Sequence, residues 1–188
     1  HFFCMLDCSY SFSLFLFMFQ KKKIIRFRLF IFFSFVISRS DLPQDLPIQS
    51  ASIYFSFILK NLLKEKGSKL WLKWPNDFYI GDKKIGGTIT TFSKDIVMCG
   101  IGMNLVEVDE KFGLLDISVD INNLLKNYLE NIEKKFFWRD VFSQYVIEFQ
   151  LSRKFQTTIN GKKVSLEHAK LQDDGSIEIN NEKVFSLR

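Results

Sequence analysis

The sequence predicts an α+β protein: a mixed or antiparallel sheet covered by helices and followed by a small all-β unit. Three observations lead there. Between residues 69 and 104, short segments with strand-like alternation are punctuated by Pro75-Asn76 and Gly81-Asp82, as in strands joined by tight turns. Over residues 48–66 and again beyond residue 120, apolar residues recur at helical spacing. After residue 153, Asn160-Gly161, Asp173-Asp174-Gly175 and Asn180-Asn181 separate short runs rich in Val, Ile and Phe, the tight-turn chemistry of small antiparallel strands.

Taken in order, residues 1–30 differ from the rest. Eleven of the 22 phenylalanines fall within residues 1–35, and the segment reads as an anomalous Phe-rich stretch. Its strongest apolar run, residues 12–19, is followed by three lysines and falls short of the roughly 20 residues that cross a bilayer. A signal peptide places positive charge before the apolar run, and here the order is reversed. Phe, Lys, Ile and Leu are also what A/T-rich DNA yields when read out of frame, so a frameshift or translation artefact stands beside a membrane-associated role.

Residues 30–38 form a dense apolar run, a buried strand ending in Ser-Arg-Ser-Asp, and Pro43 and Pro47 mark the loop after it. Residues 48–66 predict a helix, with Ile53, Phe57, Leu62 and Leu63 on its apolar face. Lys64, Lys66 and Gly67 close it, as a basic last turn and glycine stop should. Residues 69–74 read as a strand that Pro75 ends, because proline lacks the amide and keeps Trp74 extended. Residues 77–80 and 84–92 predict a hairpin around Gly81, and residues 95–104 a further strand. Helices over about 120–134 and 137–149 are expected to cover one face of the sheet. The expected division is therefore a core over 31–152 and a β unit over 153–188.

Composition removes several function classes. At 47% hydrophobic residues the chain can bury a core. The net charge of +5 is located in Lys21, Lys22, Lys23, Arg26 and Arg28, which leaves 21 basic against 21 acidic residues elsewhere. A nucleic-acid binder spreads its basic residues over the folded face that meets the phosphates, so no nucleic-acid partner is expected. Cys4, Cys8 and Cys99 have no spacing suited to a zinc site or a disulfide framework, which fits a reducing cytoplasm. No nucleophile elbow, Walker loop or paired-carboxylate arrangement occurs.

The residues that could carry chemistry cluster between 73 and 104. Lys73 lies among Leu70, Trp71, Leu72 and Trp74, where a buried ammonium needs a partner. It reads either as a strand-end lysine that snorkels to solvent or as a clamp for a carboxylate or phosphate, held by the Pro75-Asn76-Asp77 turn. Gly86-Gly87 and Gly100-x-Gly102 lie inside strand patterns, where glycine implies a bulge or a close backbone approach. Two such sites suggest a ligand against bare backbone. Asn104 could meet the edge of an adenine or serve as a turn asparagine, and Asp77 could ligate magnesium or cap its turn.

The motifs KWPND (73–77), KKIGGTI (83–89) and GIGMN (100–104) closely resemble, in order and spacing, the core of biotin protein ligases. The resemblance covers roughly residues 32–188, and residues 163–188 look like the SH3-like β domain that closes these enzymes. It implies a class II synthetase-like catalytic core that joins biotin and ATP, with Mg2+, into biotinyl-adenylate. Biotin then passes to a lysine of the biotin carboxyl carrier protein of acetyl-CoA carboxylase. It also implies a cytoplasmic ligase, compatible with a homodimer. By resemblance Lys73 contacts the biotin carboxylate and the adenylate linkage. Gly86, Gly87, Gly100 and Gly102 lie against biotin and adenylate, Asn104 meets the adenine, and Asn76, Asp77 and Phe78 line the same pocket. The departure is upstream: the family places a glycine- and arginine-rich loop over biotin and phosphates, and no glycine precedes Gly67 here. Activity is therefore expected to be impaired, with a non-catalytic remnant that binds a carrier protein or nucleotide as the alternative. No DNA-binding module, and so no repressor role, is expected.

Overall fold

The computed structural model describes residues 30–106 and 110–185, together with the backbone of residues 13–16. The readings of Cys4, Cys8, the basic patch and the rest of the Phe-rich start lie outside the described residues, as do residues 186–188.

Alternating side chains build the sheet. Strands β1 (Ser13–Leu16), β2 (Phe30–Ser38), β3 (Trp71–Lys73), β4 (Asp77–Ile80), β5 (Lys83–Ser93) and β6 (Ile96–Asn104) pair in the order β1-β2-β6-β5-β4-β3, and every pairing is antiparallel. Strands β3 to β6 form a meander, and β2 joins it on the far side of β6. On one face Ile31, Phe33, Phe35, Ile37, Ile85, Val97, Cys99, Ile101 and Met103 are buried.

Helix α1 (Ala51–Glu65) lies against that face and carries the chain from β2 to the opposite edge at β3. It is buried nearly all round, from Ala51 to Leu63, because it is covered on its other side as well. Its end is fixed locally: Ser68 N donates to Leu63 O at 3.0 Å and Gly67 N to Lys64 O at 2.9 Å. Gly67 sits at φ +94°, in the left-handed region that favours glycine.

Helices α2 (Ile121–Glu133) and α3 (Trp138–Ser152) share the cover of this face with α1. Much of the sheet face is covered by α1, with α2 packing on α1 and α3 reaching α1 and β3. Asp120 caps α2 by accepting from Asn123 N at 2.8 Å. Tyr128 of α2 donates to Phe55 O at 3.1 Å and packs edge-on against Phe33 and Phe35. Helix α3 has no cap of its own; Asp45 accepts from Trp138 N and Arg139 N at 3.0 and 3.1 Å.

The tail forms two small sheets. Strands β7 (Gln156–Ile159) and β8 (Lys162–Ser165) make a hairpin around Asn160-Gly161, and β9 (Lys170–Leu171), β10 (Ile177–Ile179) and β11 (Glu182–Val184) form a three-stranded sheet. Asn160, Gly161, Asn180 and Asn181 all have positive φ, as type I′ turns demand. Leu166, Ala169 and Ile177 are buried in the same cluster as the main core.

Candidate functional site

The second face of the sheet has a floor of bare backbone. The register places Gly87, Gly102 and Phe32 in one row across β5, β6 and β2, and Ile89, Gly100 and Ser34 in the next. Three of the four positions on the two central strands therefore carry no side chain. The result is a cleft of about 950 Å³ with Phe32 and Ile89 standing at its sides and Asn76, Asp77 and Lys84 at one end.

The glycines are not equivalent. A methyl group on Gly100 would meet nothing within 4 Å, and one on Gly102 would touch only Phe32 Cδ2, at 3.6 Å. Nothing among the described residues requires glycine at either position, so what they provide is space above the strands. A methyl group on Gly86 would lie 2.1 Å from Gly102 O, next to the register shift between Phe78 and Tyr79, so Gly86 is demanded by the sheet itself. Gly87 is intermediate: a methyl there would lie 3.2 Å from Asn76 O and from Asp77 Oδ1.

The cationic end is built by the turn between β3 and β4, which contains a cis Trp74–Pro75 peptide. Asn76 latches this turn to β5: its side-chain amide donates to Thr88 O, and Thr88 N donates to Asn76 O at 3.0 Å. Asp77 then faces two ammonium groups, with Lys84 Nζ 2.5 Å from Oδ1 and Lys73 Nζ 3.6 Å from Oδ2. The Lys84 side chain is 40% exposed and that of Lys73 only 8%. The Lys73 ammonium also lies 5.7 Å from the centre of the Tyr79 ring, and burial, with Asp77 adding to it, pushes the Tyr79 phenol up. Two cations on one carboxylate leave excess positive charge beside the bare floor, suited to an anionic group joined to an apolar or planar body.

Most of the residues singled out from the sequence come together here, with three exceptions. Asn76, Asp77, Gly86, Gly87, Gly100 and Gly102 border the cleft. Lys73 does not snorkel to solvent; it is buried behind Asp77. Phe78 does not line the cleft: it is fully buried in the core, because alternation along β4 turns it away from the face that Asp77 occupies. Asn104 lies at the end of β6, donates to Gly113 O at 3.1 Å, and stands apart from the cleft lining.

Sequence reasoning missed Lys84 as a site residue, although a hairpin turning at Gly81-Asp82 returns it opposite Tyr79, from where its ammonium reaches Asp77. Among the described residues no group of three His, Cys, Asp or Glu side chains could hold a metal ion. Among the described residues Asp77 is the one carboxylate lining the cleft, and both its oxygens face lysines, so these residues do not make a cation site of their own. Among the described residues no helix is long and apolar enough to cross a membrane.

A family model described as the biotin/lipoate A/B protein ligase family matches residues 29–104, the span that contains the whole cleft. The biotin acetyl coenzyme A carboxylase synthetase of Helicobacter pylori, solved with bound biotinylated ATP, is 41% identical, with a TM-score of 0.78 over 83% of this chain and 74% of that one. The apo biotin protein ligase of Aquifex aeolicus is 20% identical, with a TM-score of 0.54 over 85% of this chain and 83% of that one. The Leishmania major biotin protein ligase in complex with biotinyl-5-AMP is 15% identical, with a TM-score of 0.53 over 83% of this chain and 77% of that one. At those identities the last two bear on the fold alone.

Proposed function

This chain belongs to the biotin protein ligase family, and from that premise we propose that it joins biotin to ATP as biotinyl-adenylate and passes biotin to a lysine of a biotin carboxyl carrier protein. The observation that supports this best is the glycine floor at Gly100 and Gly102 ending at Asp77 and its two lysines. Biotin and the adenylate linkage lie along the floor, with the carboxylate at the cationic end. A biotin carboxylate oxygen attacks the α-phosphorus, the bond to the β-phosphate oxygen breaks, and pyrophosphate leaves. The amine of the carrier lysine then attacks the acyl carbon, AMP leaves, and the amine gives up a proton.

Charge that builds on the phosphoryl oxygens is met by Lys84 at the cleft and by Lys73 behind Asp77. Asn76 and Thr88 hold the turn in place, Gly87 leaves room for it, and Asn104 steadies the segment leading to Gly113. Magnesium enters this reading on the phosphates of ATP, not on a protein site. Residues 153–188 are assigned to the SH3-like unit of the family, following a core over 31–152, and the working compartment is the cytoplasm.

The rate of these 188 residues taken alone is proposed to be impaired. A loop arginine that contacts the phosphates contributes charge-assisted hydrogen bonds of roughly 1.5 to 3 kcal/mol each, and the cations bordering Asp77 are lysines. The test is transfer of biotin to a purified carrier domain with ATP and magnesium, alongside calorimetry with a non-hydrolysable biotinyl-adenylate analogue. The expected result is analogue binding weakened, but still measurable, in Lys84→Met and in Lys73→Ala, with slow transfer. Binding without any transfer favours the non-catalytic remnant, and a folded chain that binds no analogue sinks the ligase reading.

A further inference from the structure

Lys73 sits on β3, a three-residue strand that among the described residues forms one edge of the sheet and pairs only with β4. A strand so short cannot hold its own position, and its outer edge carries backbone donors that β4 does not reach. Helix α3 takes both. Leu72 N donates to Glu148 Oε1 at 3.2 Å, and Trp74 N donates to Ser152 Oγ at 2.9 Å.

The spacings agree: two residues along a strand advance about 6.6 Å, and four along a helix about 6 Å. Helix α3 therefore supplies side-chain acceptors in the register that a seventh strand would have supplied, on either side of Lys73. The arrangement is buried. Ser152 is fully enclosed, and Glu148 Oε2 lies 2.9 Å from Lys60 Nζ of α1 in an ion pair that lacks hydrogen-bond alignment. Burial pushes the Lys60 ammonium down and the facing Glu148 carboxylate works against that, so Lys60 relies on Glu148 as its buried partner.

A buried charge pair is a costly way to fasten an edge strand if fastening alone is required, since replacing such pairs with apolar groups is often neutral or stabilising. What it adds here is an acceptor aimed at one amide, backed by a fixed cation. We propose that Glu148 and Ser152 are positioning residues for Lys73: by holding the amides of Leu72 and Trp74 they fix the Lys73 ammonium behind Asp77 at the cationic end of the cleft. Lys60 orients Glu148 from the opposite side. The proposal relies on the ligase reading only in the choice of ligand used as probe.

The experiment is a double-mutant cycle on the full chain, with affinity for the biotinyl-adenylate analogue as one readout and acetylation of Lys73, followed by mass spectrometry, as the other. Ser152→Ala is expected to weaken analogue binding about tenfold, as loss of a buried hydrogen-bond partner does, and to have no further effect in the Lys73→Ala background. A purely structural serine would lower affinity equally in both backgrounds, and that result overturns the proposal. Glu148→Gln keeps an oxygen for Leu72 N but strands Lys60, so it is expected to weaken binding, with Glu148→Gln plus Lys60→Met restoring it.

If the wild-type chain binds no analogue, the ligase reading falls and the second readout decides alone. Buried Lys73 should acetylate slowly and speed up about tenfold in Ser152→Ala, in line with the loss of one buried hydrogen bond. An unchanged rate, with Leu72 and Trp74 amide exchange also unchanged, overturns the positioning role by itself.

Discussion

The two faces of the central sheet are made by the same strands and obey opposite rules. On the helix-covered face, β2 and β6 bury Phe33, Phe35, Ile37, Val97, Ile101 and Met103 in the core cluster that α1 and α2 also enter. On the cleft face, two successive intervening positions of β6 beyond Met98 are Gly100 and Gly102, with open space above Gly100. A strand that served only to pack would place side chains at both. The difference teaches that stability and ligand binding are separable along a single strand, residue by residue, and that substitution can move one without the other.

The largest effect should come from the packed face. Phe35 meets Phe55 edge-on at 5.1 Å and Tyr128 at 6.0 Å, so Phe35→Ala is expected to cost about 3 to 5 kcal/mol in urea denaturation. Gly100→Val, one strand away on the open face, should leave stability within about 0.5 kcal/mol of wild type, yet abolish binding of the adenylate analogue by filling the floor. Equal stability losses in the two variants would break the separation of faces.

Gly86→Ala sharpens the contrast between two glycines that look alike in the sequence. Its methyl group would fall 2.1 Å from Gly102 O, and the sheet must open to admit it, at a cost of about 1 to 3 kcal/mol. Gly100→Ala should cost nothing measurable. Thermal melting of the two variants decides the matter, and a neutral Gly86→Ala would mean that the register shift at Phe78 and Tyr79 absorbs the clash.

Much of this arrangement was legible because it is local. Alternation revealed β2, β5 and β6, helical spacing with Gly67 revealed α1, and Asn160-Gly161 and Asn180-Asn181 revealed the hairpins of the tail. Phe78 was also readable in principle: period-two alternation puts it opposite Asp77, and placing it in the pocket ignored that. What stayed hidden depends on partners distant in sequence. Asp45 caps α3 from more than 90 residues away, and Glu148 and Ser152 complete β3 across more than 70. No spacing in a single chain announces such contacts. Lys84 lies between these cases, since its approach to Asp77 follows only once the hairpin register is known.

The smallest expected effect concerns the back of the Trp74 turn, which neither face holds. There Trp74 Nε1 donates to Gly175 O at 3.0 Å and Trp138 Nε1 to Asp173 O at 2.8 Å. The turn between these carbonyls is organised by Asp174, which accepts from Ser176 N at 3.1 Å and Ser176 Oγ at 2.5 Å and pairs with Lys183 at 2.7 Å. Burial alone would push the Asp174 carboxyl up, but the bonds from Lys183 and Ser176 outweigh it and hold the group below the usual carboxylate value. A carboxyl lowered on folding contributes stability that is present above its unfolded value of about 3.9 and lost as pH falls through the folded one. Because Lys183 is half exposed, the contribution should stay below about 1 kcal/mol. Asp174→Asn is therefore expected to be slightly less stable than wild type at pH 7, with the gap closing as the pH drops below 4. A gap that persists unchanged at pH 3 would mean that hydrogen-bond geometry, not charge, holds the turn against the two tryptophans.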